Sequence, residues 1–133
     1  MSLVDSVRTV LSKYADFSGR ARRSELWWWA LVVAVVGNVL FYVLGASAWE
    51  RAMLNGDTAS AAGGVGFAIY SLLTLAVILP NLAVQVRRLH DTGRSGAWWF
   101  IVFVPFAGVI MLIVWWATEG TRGANQYGPD PKA

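Results

Sequence analysis

The stretch from Trp27 to Trp49 reads WWWALVVAVVGNVLFYVLGASAW and holds no Asp, Glu, Lys or Arg over its 23 residues. A helix needs about 20 apolar residues to cross the hydrocarbon of a bilayer. In lipid the backbone must satisfy its own polar groups, so such a run is read as a helix. Two further runs have the same character, Val65 to Val86 and Ala97 to Ala117. One charge-free run can be the core helix of a soluble protein. Three of them, in a chain of 133 residues that is 56% hydrophobic and 14% charged, cannot all be hidden from water. The expected class is an all-α membrane protein with about three transmembrane helices, at 27–49, 65–86 and 97–117. Residues 1–133 then form a single membrane domain with a tail at 118–133.

The tryptophans agree. All eight lie at run ends: Trp27, Trp28, Trp29, Trp49, Trp98, Trp99, Trp115 and Trp116. Indole has an apolar body and one N–H donor, so it collects at the headgroup boundary. Lys and Arg set the direction. Arg8, Lys13, Arg20, Arg22 and Arg23 precede the first run, and Arg51 alone separates the first from the second. Arg87, Arg88 and Arg94 separate the second from the third, and Arg122 and Lys132 follow it. With three spans, one side holds eight of these residues and the other three. The excess places the N-terminus and the 87–96 loop of a multi-pass protein in the cytoplasm. The tail then falls outside. Pro105 and Gly108 interrupt the third run. A kink there keeps it a single span, whereas a re-entrant hairpin would return the tail to the cytoplasm.

Residues 2–16 read as a short amphipathic helix lying on the cytoplasmic interface. Ser2 and Asp5 have capping-box spacing, and Leu3, Val4, Val7, Val10, Leu11 and Tyr14 share one face. The segment from Met53 to Gly64 is small, polar and glycine-containing, and reads as a loose external loop.

Polar residues gather in three places. The first is Phe17-Ser18-Gly19-Arg20-Ala21-Arg22-Arg23-Ser24-Glu25, just before the first run. The second is Arg87-Arg88-Leu89-His90-Asp91-Thr92-Gly93-Arg94-Ser95-Gly96. The third is the tail, where Gly120, Gly123, Asn125, Tyr127 and Gly128 stand out. In these segments the chain resembles the small bacterial inner-membrane proteins grouped as domain of unknown function 805. That family's Phe-x-Gly-Arg-x-Arg-Arg-x-Glu start matches Phe17 to Glu25. Its Arg-Arg-Leu-His-Asp-x-Gly-x-Ser core matches Arg87 to Ser95, and its glycine-Asn-aromatic-Gly tail matches Gly120 to Gly128. The resemblance implies an integral protein of the bacterial inner membrane. It implies no reaction, since the family has none assigned.

On their own terms, Arg20, Arg22, Arg23, Arg87, Arg88 and Arg94 stand near only two acids, Glu25 and Asp91. A guanidinium offers a planar fork suited to carboxylate or phosphate. Six forks exceed what two carboxylates can take, so the surplus is expected to recruit an anion, most simply a lipid phosphate. With His90 these residues form the expected surface for anionic headgroups or for a partner protein. Asn38, Asn81 and Gln85 are polar groups inside the runs, expected to meet other helices of this chain or of a homo-oligomer. A small oligomeric channel or transporter lined by Asn81 and Gln85 is the alternative. No run carries a charge, which argues against an ion-coupled pump.

One histidine and no cysteine make too thin a ligand set for a metal, so none is expected, nor any cofactor. Ser95, His90 and Asp91 lack the nucleophile elbow and the spacing of a hydrolytic triad. The expected function is a non-enzymatic membrane module with no nucleic-acid partner.

Overall fold

The computed structural model describes residues 1–57 and 64–132. Helix α1 is Leu3–Ser12 and α2 is Arg23–Leu40. A π-helical turn, Phe41–Gly45, leads without a break into α3, Ala46–Asn55. Helix α4 is Val65–Asp91, followed by a 3₁₀ helix, Gly96–Phe103, and α5, Ala107–Ala117. No strand occurs among the described residues. Only an isolated bridge pairs Asn125 with Gly128.

Two of the three expected spans are present as long helices, Arg23–Asn55 and Val65–Asp91. Only 6% and 17% of their most apolar windows are buried. A core helix of a soluble protein would be mostly buried, so these surfaces need lipid rather than water as solvent. Both helices outrun their apolar stretches. The second continues five residues past Val86, through Arg87 to Asp91, so half of the expected 87–96 loop belongs to this helix. It stops in a Schellman turn. Gly93, at φ 78°, donates its N–H to the His90 carbonyl, and Arg94 donates to that of Leu89. In the expected external loop, Met53 to Asn55 are helical and Gly56 ends the helix at φ 64°. Residues 58–63 of that loop lie outside the described residues.

The third run differs from the expected single span at 97–117. It is two helical pieces that double back. Phe106 sits at φ 61° after Pro105 and reverses the chain. The arms return side by side, with the Trp98 and Trp115 rings meeting edge to face at 5.7 Å. A side chain at Gly108 would strike the Ile101 carbonyl, so glycine is what lets the arms close. Eight residues of 3₁₀ helix and eleven of α-helix are each about 16 Å long. That is about half of a bilayer's hydrocarbon. The reason is local: proline and glycine interrupt the run midway, and hydropathy does not see a reversal.

Helix α1 carries the expected capping box. The Ser2 hydroxyl accepts from the Asp5 N–H, and the Asp5 carboxylate accepts from Ser2. It is shorter than the expected 2–16, and it buries only Ser6 and Val10, leaving Leu3, Val4 and Leu11 exposed.

Contacts fall into two clusters, whose boundary lies within both long helices. One joins Met1–Ala30 with Leu79–Ala133, and the other is Leu31–Ile78. In the second, Phe41 packs edge-on to Tyr70 at 5.6 Å. Gly66 lies so close to the Leu44 carbonyl that no side chain fits between them.

Candidate functional site

The first cluster is built on buried charge. Arg87 and Arg88 are 0% exposed and Asp91 is 2% exposed. Charges this deep are rare unless paired, because each ion loses its hydration. The chain reaches them through a turn at Asp16 to Gly19. The Asp16 carboxylate accepts from the Ser18 N–H and hydroxyl, which holds its carboxyl below the usual range. Gly19 then takes φ 77°, and Ala21 docks by donating its N–H to the Arg87 carbonyl at 3.1 Å. This delivers Arg20 to Asp91.

Asp91 is the hub. One of its oxygens accepts from Nε of Arg20 at 2.9 Å and forms an ion pair with its Nη2 at 2.9 Å. The other accepts from Nη1 of Arg88. A second pair joins Arg87 Nη1 to Glu25 at 2.6 Å. Arg87 keeps two buried donors, Nε and Nη2, without a partner among the described residues.

Most donors of the other arginines go to main-chain carbonyls of α5 and the tail. Arg20 gives Nη1 to Gly123 at 2.6 Å and Nη2 to Thr121. Arg88 gives Nε to Trp116 at 3.0 Å and Nη2 to Thr118. Arg22 bonds the Pro131 carbonyl at 2.5 Å, and Arg23 that of Ala117 at 3.2 Å. The carbonyls of Trp116 and Ala117 end a helix, where orphan acceptors and the dipole favour cations. The expected surplus of guanidinium donors is thus largely met inside the chain. Arg94 takes another course and lies over the Trp115 ring at 4.6 Å, away from Asp91.

The tail is therefore part of the site. The three-span reading set it on the opposite side from the 87–96 loop. Instead Thr121 donates to the Asp91 carbonyl at 2.7 Å, and Asn125 donates to that of His90 at 2.9 Å. The Tyr127 ring stacks flat on His90 at 4.0 Å, while His90 Nδ1 meets the Gly19 carbonyl at 3.0 Å. Gly120 presses on the Asp91 carboxylate so closely that a methyl group there would collide with it. The tail is shaped by Asp130, whose carboxylate accepts from the N–H groups of Lys132 and Gly123. These bonds hold the Asp130 carboxyl below its ordinary range.

Among the expected intramembrane polar residues, Gln85 accepts from the Trp99 indole at 2.7 Å, tying α4 to the hairpin. Asn81 is half-buried. Asn38 is exposed and donates to the Ala34 carbonyl of its own helix. An open cleft of about 420 Å³ lies beside the buried cluster, lined in part by Asp5, Lys13, Arg22 and Glu25. No three His, Cys, Asp or Glu groups converge as metal ligands among the described residues.

This cluster draws together the three segments on which the family resemblance rested. The sequence profile described as Protein of unknown function (DUF805) matches residues 14–129, which hold all of it but Asp130 and the Pro131 carbonyl. The chain belongs to the DUF805 family. Among DUF805 relatives, it is 45% identical over 127 residues to inner membrane protein YhaI of Escherichia coli K12. That match covers 93% of this chain and 92% of the relative. It is 44% identical over 126 residues to inner membrane protein YhaH of the same strain, covering 92% and 93%. A third relative, the uncharacterized protein YiiR, is 33% identical over 140 residues, covering 86% and 85%. No solved structure matches the chain. With long, apolar, little-buried helices and these relatives, this DUF805 protein is an inner-membrane protein.

Sequence reasoning singled out Asn125 and Tyr127 but did not place them beside His90, and it missed the tail's main-chain acceptors. The available signal was the imbalance of six arginines against two acids, which demanded further acceptors nearby.

Proposed function

We propose that this DUF805 protein is a non-enzymatic, multi-pass module that holds anionic lipid headgroups at its basic cytoplasmic end. The carrying observation is where the charge lies. Ten of the eleven Lys and Arg residues, and seven of the eight tryptophans, belong to the cluster of Met1–Ala30 and Leu79–Ala133. Only Arg51 and Trp49 lie outside it. With the third run folded back, the basic excess on one side becomes ten to one. That excess supports a cytoplasmic N-terminus, 87–96 loop and tail.

Arg20, Arg87 and Arg88 are buried against Glu25 and Asp91. Seven cations then remain: Arg8, Lys13, Arg22, Arg23, Arg94, Arg122 and Lys132. They face four carboxylates, Asp5, Asp16, Glu119 and Asp130. Each basic residue near an anionic surface contributes about 1 kcal/mol. A catalytic reading has less support, because His90 and both oxygens of Asp91 are engaged in holding the fold. A channel reading has less as well, because Gln85 is taken by Trp99.

The test is native mass spectrometry after exchange with phosphatidylglycerol or phosphatidylcholine of identical acyl chains. The parent should retain phosphatidylglycerol preferentially. The triple variant Arg8→Gln, Lys13→Gln, Arg122→Gln leaves the buried cluster intact and should lose most of that preference. Equal retention of both lipids by the parent would overturn the proposal. A preference undiminished in the triple variant would count against it too.

A further inference from the structure

We propose that a second copy of this chain packs against the face of α2 that carries Asn38, the two Asn38 amides pairing across a two-fold axis normal to the membrane. Asn38 lies eleven residues from Trp27 and eleven from Trp49. Those tryptophans mark the two headgroup boundaries of the span. At 1.5 Å per residue the amide stands about 16 Å from each, at the middle of the hydrocarbon. It is exposed there, as are Ala34, Val35 and Val39 around it. A Cβ built at Gly37 would meet nothing within 4 Å, so the surface beside the amide is open.

A primary amide has two N–H donors and one carbonyl acceptor. One donor is used, on the Ala34 carbonyl at 2.7 Å. The second N–H and Oδ1 are left to face hydrocarbon, where no water can reach them. Ser71 and Thr74 in the same cluster do not share this difficulty. Each spends its single donor on a carbonyl four residues back, those of Phe67 and Tyr70. Asn38 thus presents both a donor and an acceptor to the lipid.

Those two groups select the partner. A donor and an acceptor on one side chain are complementary to the same side chain turned by two-fold rotation. An axis along the membrane normal brings residues of equal depth together. A second copy therefore supplies an amide at the bilayer centre, whereas an unrelated helix would need a matching polar residue at that depth. Ala34 and Gly37 beside it are small enough for two backbones to approach to hydrogen-bonding distance.

The chain has no cysteine, so single cysteines can be placed freely. Ala34→Cys lies on the Asn38 face, and Val36→Cys is also exposed but points the opposite way. Mild oxidation in native membranes should give covalent dimers of Ala34→Cys and few of Val36→Cys. In liposomes, fluorescence transfer between labelled copies should show Asn38→Leu raising the dissociation constant roughly tenfold, the value of two interhelical hydrogen bonds. Asn38→Gln, which keeps the amide, should restore most of the affinity. Leucine on a lipid-facing position leaves the monomer folded, so a loss of transfer reports association alone. The proposal fails if the parent is monomeric at all densities. It also fails if Asn38→Leu associates like the parent, or if the two cysteine variants cross-link equally. Cross-linking of Ala34→Cys to a different protein in place of its own copy would overturn the self-pairing.

Discussion

Asp91→Asn destabilises the protein by about 3–5 kcal/mol, the usual cost of breaking a buried ion pair from one side. The substitution is almost isosteric, so the loss is electrostatic. Arg20 and Arg88 both reach the Asp91 carboxylate, and both are buried. An amide there presents one acceptor where two guanidinium groups converge and removes the negative charge between them. The two cations are then left close together in a site that water does not screen. Against a total stability of about 5–15 kcal/mol, this is enough to lower the yield of folded protein sharply. Thermal unfolding in detergent, followed by size exclusion, measures it. Glu119→Gln is the comparison, because that carboxylate is exposed and pairs only with the exposed Lys132, at 3.5 Å. A melting temperature for Asp91→Asn within a degree or two of the parent would mean that the hub described above does not hold this end together.

Removal of residues 119–133 should have an effect of comparable size. A tail lying free across the membrane from the arginines could be cut without consequence. In this fold the cut removes the Thr121 and Gly123 carbonyls that accept from Arg20. It also removes the Thr121 bond to Asp91, the Asn125 bond to His90, and the Tyr127 ring stacked on His90. Hydrogen bonds to charged groups contribute about 1.5–3 kcal/mol each, and neutral ones about 1. Water entering the opened site recovers part of this, so a net loss of about 3–5 kcal/mol is expected. Gly120→Val is the point-mutant version, since any side chain there is driven into the Asp91 carboxylate. Unfolding of the truncated protein at the parent's temperature would show that the tail is a passenger.

Hydropathy made the long helices legible, and arginine density marked the two motifs that meet at Asp91. Three things were not decided by the sequence, each for a physical reason. The continuation of α4 from Arg87 to Asp91 was hidden because apolar pattern ends where charge begins. The helix itself persists, since buried pairs replace lipid as the environment of its side chains. The hairpin, an alternative raised by Pro105 and Gly108, could not be chosen over a kinked span because 21 apolar residues suit one span or two half-length arms. The tryptophan pairs at its two ends, Trp98-Trp99 and Trp115-Trp116, fit either arrangement. Pro105, Phe106 and Gly108 decide between them, and a positive φ at a phenylalanine is not read from residue type. The tail was hidden because its contribution is mostly main-chain carbonyls, which every sequence has. Only its glycines hinted at a fixed shape, and Gly123 and Gly128 do adopt positive φ.

Everything at the basic end depends on the N-terminal segment and the tail lying on one side of the membrane, and thiol accessibility tests this directly. Single cysteines at Ser18, Asn55 and Gln126 are all on exposed residues of a chain with no native thiol. In spheroplasts, an impermeant maleimide should label the cysteine at Asn55. Those at Ser18 and Gln126 should react only after the membrane is permeabilised. Labelling at Gln126 in intact spheroplasts, with Ser18 protected, would put the tail across the bilayer from the arginines and contradict the site as described.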